Sequence, residues 1–430
     1  MGKRVAFHTL GCKVNTAETD VLAATFRERG YQIVGFDSKS DVCVVNTCTV
    51  TQMADAQCRQ IIRRARKSSP EAVIAVVGCY AQADSRAVSS IPGVDIVLGT
   101  RERFSIFDLL DGNSCFTETV VRTGLESNPF DKEKGLPYGT SRTRAFLKVQ
   151  DGCSYKCSYC IIPKVRGASV SRKRADVLDR VKGMRDSGFK EIVLTAVNLG
   201  EYEDGRNYRL LHLLKDICGI PGIPRIRLTS IEPNCFSEDL IKFVADTDRI
   251  CPHFHIPLQS GSDTILKNMR RRYSTRHYAD VVNAVLKWIP DAAIGADVMT
   301  GYPGETDTLY EESLRFIGEI PVTYLHVFRY SPRYGTEAAG CTEFIPHESV
   351  KERSRKLIGL GKAKKESFLE RQIGRISEVL FESKPVKGNY YGFTENYARV
   401  RCGSAHIGNR CEPVKLIQKS DLVLEGEIAK

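Results

Sequence analysis

Residues 153–160 of this chain read Cys153-Ser154-Tyr155-Lys156-Cys157-Ser158-Tyr159-Cys160, which places three cysteines at CxxxCxxC spacing. The segment follows an apolar run that predicts a strand, so the cysteines lie in a loop where their thiolates can converge on an iron–sulfur cluster. Zinc is the competing metal, but structural zinc takes four ligands, and the next cysteine or histidine downstream is His212. Three thiolates on a four-iron cluster leave one iron open. The spacing therefore predicts an iron–sulfur site that can bind another molecule.

The cysteine loop stands near the start of a long alternation of strands and helices, residues 144–367. Six apolar runs predict the strands Ala145–Val149, Glu191–Ala196, Ile226–Thr229, His253–Pro257, Ala293–Met299 and Tyr324–Tyr330. A complete eight-unit barrel usually needs about 250 residues, so there is room for only part of one. The pattern predicts an incomplete (β/α)6 barrel with its chemistry at the carboxyl ends of the strands.

Residues 1–120 show the same alternation on a smaller scale. Apolar runs predict the strands Val5–Phe7, Val42–Asn46, Val73–Val77 and Ile96–Leu98. Helical stretches fall between them, which indicates a parallel-sheet α/β domain of the flavodoxin-like kind, with helices on both faces. Residues 121–143 are polar and aperiodic, and they predict a linker.

Three further cysteines, Cys12, Cys48 and Cys79, each follow a predicted strand of this first domain, near the start of a helix. In a doubly wound sheet such loops lie together at the carboxyl edge, so the three thiols can meet in space. Helix N-termini also favour thiolates. From their positions alone, these three cysteines can either hold a second cluster or be buried structural residues.

Residues 368–430 have a different texture, with short β runs, Gly and Asn turns and no clear helix. The runs are Ser377–Phe381, Tyr390–Phe393, Tyr397–Arg401 and Val414–Ile417. They predict a small antiparallel β-barrel. Aromatic residues lie among basic ones in this segment, and such aromatics can stack on unpaired bases. Basic runs such as Arg270-Arg271-Arg272 are further candidates for RNA contact.

Composition narrows the possible partners and the compartment. The net charge of +11 favours an acidic partner, above all nucleic acid. No apolar run approaches the roughly 20 residues of a membrane span, and no signal-peptide segment follows Met1. Fifteen cysteines in such a chain indicate metal ligation more than disulfides. We therefore predict a cytoplasmic protein without membrane contact, and buried structural roles for the other nine cysteines.

From end to end, these motifs resemble those of the radical SAM methylthiotransferases. The resemblance implies that Cys153, Cys157 and Cys160 hold the [4Fe–4S] cluster that cleaves S-adenosyl-L-methionine. It also implies that Cys12, Cys48 and Cys79 hold an auxiliary [4Fe–4S] cluster, so that all six cysteines serve the catalysis as cluster ligands. The last segment corresponds to the family's RNA-binding TRAM domain.

Within that family, Leu10-Gly11-Cys12-Lys13-Val14-Asn15 and Gly392-Phe393-Thr394-Glu395-Asn396-Tyr397 are most similar to the branch that modifies N6-threonylcarbamoyladenosine. The implied reaction places a methylthio group at C2 of that base at position 37 of tRNA, using two molecules of S-adenosylmethionine. The implied partners are the tRNA anticodon stem-loop and an external electron donor of the flavodoxin or ferredoxin type, and not DNA. Isopentenyl-adenosine in tRNA, a ribosomal-protein aspartate, and a non-catalytic RNA-binding protein with closed metal sites remain alternatives.

The resemblance also assigns residues around the cofactor, at positions where barrel strands are predicted to end. The predicted cofactor-binding residues are Tyr159, Asn198, Ser230, Glu232, Gln259, Ser260 and Asp297. Each of them can instead be a helix cap or turn former. We also predict that Arg329 or Arg333 pairs with the threonyl carboxylate of the substrate, because arginine matches a carboxylate bidentately.

Overall fold

The computed structural model of the protein describes residues 2–112, 116, 118–133, 135–136, 143–403 and 406–429. Its N-terminal part is a sheet of six parallel strands in the order β2-β1-β3-β4-β5-β6. The strands are β1 Arg4–Thr9, β2 Gln32–Val34, β3 Val42–Thr47, β4 Val73–Gly78, β5 Ile96–Leu98 and β6 Val120–Arg122. The helices are α1 Lys13–Glu28, α2 Gln52–Ser68, α3 Cys79–Ala83, α4 Ser85–Ser89 and α5 Ile106–Gly112.

Helices cover both faces of this sheet. Strand β3 is buried along its whole length, and its alternate side chains point to opposite faces. Val45 packs in one core with Ile62 of α2, and Val44 packs in the other with Phe26 of α1. The carboxyl ends of β1, β3 and β4 therefore lie side by side at one edge of the domain.

The central part is an incomplete barrel, as predicted. Its parallel strands are β7 Arg144–Lys148, β10 Glu191–Thr195, β11 Arg225–Leu228, β12 His253–His255, β13 Ala293–Thr300 and β14 Tyr324–Arg329. Two sets of three, β7-β10-β11 and β12-β13-β14, are joined by parallel bridges from Ile226 to Ile250 and from Ser230 to His255. The short strands β8 Gln150–Asp151 and β9 Val170–Ser171 pair with each other beside the cysteine loop.

The helices of this part follow its strands on the outside. They are α6 Ile162–Arg166, α7 Arg174–Asp186, α8 Leu210–Cys218, α9 Glu238–Ala245, α10 Asp263–Asn268, α11 Thr275–Trp288, α12 Asp307–Glu319 and α13 His347–Glu370. Short 3-10 turns occur at Arg103–Ser105, Leu199–Glu201, Pro233–Cys235 and Glu337–Gly340. Among the described residues, none of the helices combines the length and apolar character that crossing a bilayer requires.

The C-terminal part is a closed five-stranded barrel in the order β15-β16-β17-β19-β18. Its strands are β15 Ile376–Phe381, β16 Tyr390–Thr394, β17 Arg399–Cys402, β18 Cys411–Ser420 and β19 Val423–Ile428. Four of its pairings are antiparallel, and β17 pairs with β19 in parallel. The α/β multidomain fold class predicted from the sequence is confirmed.

An ion-pair group attaches the C-terminal barrel to the central one. Arg227 donates from Nη1 to the carbonyl of Glu395 at 2.8 Å, and Arg225 donates from Nη2 to the carbonyl of Phe393 at 3.0 Å. Both guanidinium groups also pair with the fully buried carboxylate of Glu191, at 2.9 and 2.8 Å. Glu191 therefore holds the two arginines in position to bind the C-terminal barrel.

Stability is expected to depend on the charge of Glu191. Burial alone would raise its pKa, but Arg227 and Arg225 lower it to about 2, below the usual value of 4.5. A carboxylate with a lowered pKa stabilises the fold above its unfolded pKa, and this contribution is lost as the pH falls toward the folded pKa. Urea unfolding should show wild type more stable than Glu191→Gln by about 3 kcal/mol at pH 7.

The difference in the free energy of unfolding between wild type and Glu191→Gln should narrow as the pH falls from 5 to 3, because only wild type has a titrating carboxylate at position 191. A difference in the free energy of unfolding that stays constant over that range would contradict the role given to Glu191.

Candidate active site

The loop that carries Cys153, Cys157 and Cys160 lies between β8 and α6, at the carboxyl ends of the barrel strands. Its backbone is fixed by bonds from Cys153 N to the Gly167 carbonyl and from Cys160 N to the Cys157 carbonyl, both 3.1 Å. The three thiols act electrostatically on one another, and burial raises the pKa of Cys160 to about 12. Thiols of this kind ionise when a metal supplies compensating positive charge, which fits cluster ligation.

Arg271 supplies positive charge beside this loop. Its Nη1 donates to the Cys157 sulfur at 3.2 Å, and its Nη2 pairs with Glu232. The Arg271 side chain is only 3% exposed, although the sequence groups it with Arg270 and Arg272 as a candidate for RNA contact. For Arg271 that interpretation is wrong, because its guanidinium is buried in contact with the Cys157 sulfur and the Glu232 carboxylate. Arg272 lies over the Tyr155 ring at 4.0 Å.

The structure brings Cys12, Cys48 and Cys79 together at the carboxyl ends of β1, β3 and β4. A side chain on Gly11 would place its Cβ 2.7 Å from the Cβ of Cys48, so glycine permits the close approach of the two loops. The Cys79 thiol is in electrostatic contact with both Cys12 and Cys48, and burial raises its pKa to about 12. Cys58 is buried beneath and donates from sulfur to the Cys48 carbonyl at 3.3 Å.

The two groups of three cysteines face each other across one short segment. Cys79 packs with Ile161, Ile162 and Val165, which directly follow the last cysteine of the barrel loop. Thr100, in the N-terminal part, donates from Oγ1 to the Val165 carbonyl at 2.6 Å and fixes this segment. Two cofactors bound by these cysteines would therefore be neighbours.

A buried charge network holds the same two surfaces together. Arg166, the last residue of α6, reaches into the N-terminal part and donates to Asn15 Oδ1 at 2.6 Å and Glu18 Oε1 at 2.9 Å. It also pairs with Asp151 at 2.7 Å. Burial raises the pKa of the Cys79 thiol, and the positive charge of the Arg166 guanidinium offsets part of that rise. Arg166 thus links the two parts and places positive charge at the N-terminal cysteines.

This network was not predicted from the sequence. Its other members are Arg103, Lys148, Arg172 and Glu133, all of them buried. Lys148 pairs with Glu133 at 2.6 Å and with Glu18 at 3.1 Å. In a sequence, lysines and arginines that will be buried cannot be distinguished from solvent-exposed ones. The one local indication is in β7, where alternate residues share a face and Lys148 therefore lies on the same face as Phe146.

Most of the predicted cofactor-binding residues lie near the barrel cysteines. Asn198 accepts bonds at Oδ1 from the backbone of Gly200 and Glu232, and its buried Nδ2 has no partner among the described residues. Ser230 follows β11 and bridges to His255. Tyr159 is half-buried against the apolar cluster that contains Met269. Asn198 is thus the one of these side chains with a spare buried donor.

Gln259 and Ser260 form a turn after β12. Gln259 has a φ of +69°, and its backbone bonds the Asp297 and Met299 backbones at 2.8 Å. Ser260 is fully buried and accepts from the Ser262 backbone at 3.2 Å. Asp297, on β13, lies 3.0 Å from His255 Nε2 and 3.4 Å from His326 Nδ1. The contacts given for Gln259 involve its backbone, and the Ser260 hydroxyl already accepts a bond within the protein, so the cofactor role of both residues stays a prediction.

The two predicted substrate arginines have different surroundings. Arg333 is buried and donates from Nη2 to Asp55 at 2.6 Å and to Thr49 Oγ1 at 2.7 Å, next to Cys48. Arg329, at the end of β14, is exposed. The role of either residue in binding a substrate carboxylate stays a prediction, although the guanidinium of Arg333 already has a carboxylate partner within the protein.

Comparison with known proteins places these features in context. The radical SAM superfamily model matches residues 147–317, and the model described as uncharacterized protein family UPF0004 matches residues 4–99. Threonylcarbamoyladenosine tRNA methylthiotransferase MtaB of Bacillus subtilis is 37% identical, over 99% of this chain and 96% of its own length. The MtaB of Aquifex aeolicus is 34% identical over 93% of this chain and 96% of its own length.

A relative named for a different substrate base is less similar to this chain. The tRNA-2-methylthio-N(6)-dimethylallyladenosine synthase of Desulforamulus reducens is 30% identical over 99% of this chain and 95% of its own length. Among solved structures, the radical S-adenosylmethionine methyltransferase TsrM from Kitasatospora setae aligns with a TM-score of 0.57 and 15% identity. That alignment covers 78% of this chain and 75% of TsrM, and it shows a shared fold.

Proposed function

Because the chain belongs to the radical SAM methylthiotransferase family, we propose that it converts N6-threonylcarbamoyladenosine at tRNA position 37 to its 2-methylthio derivative. It is a radical SAM tRNA methylthiotransferase, and the choice of base is the proposed part. Support for that choice comes from the names of its MtaB relatives, which are 37% and 34% identical, against 30% for the dimethylallyladenosine synthase. The sequence motifs around Cys12 and Gly392 favour the same base.

One observation carries the proposal: Cys79 of the N-terminal group of three cysteines packs against the segment Ile161–Val165, which directly follows the cysteine group of the barrel. Methylthiolation needs one site that generates a radical and a second that holds the sulfur to be inserted. In this chain both sites lie at the carboxyl ends of parallel strands, where α/β enzymes bind ligands. A single structural metal site would need neither the second group of cysteines nor the packing of Cys79 against Ile161.

We propose that Cys153, Cys157 and Cys160 hold one [4Fe–4S] cluster and that Cys12, Cys48 and Cys79 hold the auxiliary one. When bound, the first cluster supplies the electron that cleaves S-adenosylmethionine and so provides the radical chemistry. This chemistry is required because the C2–H bond of adenine offers no acidic proton for a base. Arg271 and Arg166 place positive charge at Cys157 and Cys79, and so favour the thiolate forms that ligate iron.

The protein's other groups position the reactants. We propose that the free Nδ2 of Asn198 donates to the methionine carboxylate of S-adenosylmethionine, with Tyr159, Ser230, Glu232, Gln259, Ser260 and Asp297 around the same cofactor. The half-buried Tyr390 and Tyr391 of the C-terminal barrel would stack on bases of the anticodon stem-loop. The electron would come from a flavodoxin or ferredoxin.

The test uses anaerobically reconstituted protein, S-adenosylmethionine, a chemical reductant and three anticodon stem-loop RNAs. They carry adenosine, N6-threonylcarbamoyladenosine or N6-dimethylallyladenosine at position 37. Nucleoside mass spectrometry should find the methylthio product from the threonylcarbamoyl RNA, with a rate at least about tenfold above that of the dimethylallyl RNA. Product from the dimethylallyl RNA alone would reassign the substrate.

A further inference from the structure

The inner wall of the incomplete barrel carries a polar group of three residues, His255, Asp297 and His326, on β12, β13 and β14. Alternate residues of a strand share one face, and Asp297 stands directly opposite His326 in the β13–β14 register. Their ligating atoms lie within 4.8 Å of one another, and both histidines approach the one carboxylate, at 3.0 and 3.4 Å. Asp297 therefore fixes the orientation of both rings.

His326 is the member of this group that is open to a ligand. Its side chain is 53% exposed, against 15% for His255 and 22% for Asp297. With a proton on Nδ1 donated to Asp297, the Nε2 atom is an acceptor, and it has no partner among the described residues. Phe328, two residues further along the same face, is 45% exposed. The wall thus offers an oriented acceptor beside an exposed aromatic ring.

The floor beneath this wall is positively charged. Lys13, which directly follows Cys12, has its Nζ 5.9 Å from the Tyr397 ring, with Arg144 and Arg227 as further charged neighbours. Arg144 and Arg227 share the carboxylate of Glu191, whereas Lys13 has no carboxylate within 4.0 Å among the described residues. A row of contacts leads from Lys13 to His326. The Tyr397 ring beside Lys13 lies 4.4 Å from the His253 ring, His253 Nε2 lies 2.7 Å from the Tyr324 hydroxyl, and the Tyr324 ring lies 5.2 Å from the His326 ring. Lys13 and His326 therefore border the same space.

We propose that this space binds the N6 substituent of the substrate base, with Lys13 pairing with its carboxylate and His326 Nε2 accepting from its hydroxyl or N–H. The inference rests on the proposed function and names the groups that select the threonylcarbamoyl base. That substituent carries a negative charge and hydrogen-bond donors, whereas a dimethylallyl group has neither. A site with oriented polar groups rejects a ligand that leaves them unpaired.

Fluorescence anisotropy with the reconstituted protein tests this assignment. The stem-loop RNAs carry N6-threonylcarbamoyladenosine, its methyl ester or N6-dimethylallyladenosine. Wild type should bind the acid about tenfold more tightly than the ester, and Lys13→Met should abolish that preference by weakening acid binding alone. His326→Leu should weaken binding of both the acid and the ester about fivefold to tenfold and leave the dimethylallyl RNA unaffected.

Iron content and binding of the dimethylallyl RNA should stay unchanged in both variants, which separates recognition of the substituent from folding. Lys182→Met, on the exposed face of α7, is the matched control and should keep the preference for the acid. The inference would be overturned if wild type and Lys13→Met each bound the acid and the ester equally well. If wild type still modified the threonylcarbamoyl RNA in that case, the proposed function would stand. Loss of one divalent metal ion per chain in His326→Leu would overturn the inference by making the three residues a metal site.

Discussion

Replacing Cys153, Cys157 and Cys160 together by alanine is expected to abolish both product formation and cleavage of S-adenosylmethionine. Anaerobic iron and sulfide analysis should find about eight irons per chain in wild type and about four in this variant, as two four-iron clusters require. The N-terminal site should keep its iron if Cys12, Cys48 and Cys79 hold the auxiliary cluster as proposed. The loss of activity should be complete, since the proposed mechanism cleaves S-adenosylmethionine at the barrel cluster.

The reciprocal variant separates the two sites. Alanine at Cys12, Cys48 and Cys79 should also leave about four irons, but cleavage of S-adenosylmethionine should persist while methylthio product disappears. Alanine at Cys218, Cys341 and Cys411, which lie outside both groups, is the matched control and should retain about eight irons and full activity. Four irons in wild type, lost entirely when the barrel cysteines are replaced, would remove the second cluster and with it the sulfur-insertion mechanism.

Those six cysteines were identifiable from the sequence because their positions depend on local patterns. The barrel cysteines share one CxxxCxxC loop, whereas Cys12, Cys48 and Cys79 each follow an apolar run, and parallel strands bring their carboxyl ends to one edge whatever their separation along the chain. Cys12 and Cys48 are 36 positions apart, yet Gly11 lies against Cys48 in the structure. Spacing and strand prediction therefore indicate that the cysteines of each group lie close together, whereas the auxiliary cluster is implied by the family resemblance and stays a prediction.

Two strands of the N-terminal sheet were not predicted. β2 and β6 have three residues each, are partly exposed and include a polar residue, so neither has the wholly apolar and buried run of β5, a strand of the same length. β6 also begins at Val120, where the polar composition predicts the start of a linker. Their pairing partners, β1 and β5, supply the hydrogen bonds that make them strands, and this information is not local.

The largest gap concerns basic residues that the structure buries. Arg271 and Arg166 belong to stretches that look like solvated or RNA-binding charge, but both are almost fully buried beside cysteines. Each buried guanidinium pairs with a carboxylate that is distant in sequence. The partner of Arg271 is Glu232, and a partner of Arg166 is Glu18, 148 positions away. The pattern of charges along one sequence does not indicate which residues pair, so these buried ion pairs are identified only from the three-dimensional structure.

Arg166→Met is expected to cause the largest loss of stability of any single substitution at this interface. It leaves Glu18 and Asp151 buried with fewer cationic partners, and removing one member of a buried ion-pair group costs about 3–5 kcal/mol. The variant should also bind less iron at the N-terminal cysteines, because the charge that lowers the Cys79 pKa is gone. Urea unfolding at pH 7 and iron analysis measure the two effects.

Arg174→Met provides the surface comparison, because Arg174 pairs with Asp216 at 2.5 Å in an exposed position. Such exposed pairs contribute little to stability, so this variant should remain close to wild type in both measurements. The double variant Glu18→Gln/Arg166→Met should recover part of the stability lost in Arg166→Met, because the first substitution removes the charge of a carboxylate left without its partner. Its N-terminal cysteine site should still bind less iron than that of wild type. If Arg166→Met were no less stable than Arg174→Met, the network would not be what holds the N-terminal sheet and the barrel together. The two cysteine groups would then owe their juxtaposition to the apolar packing of Cys79 against Ile161 alone.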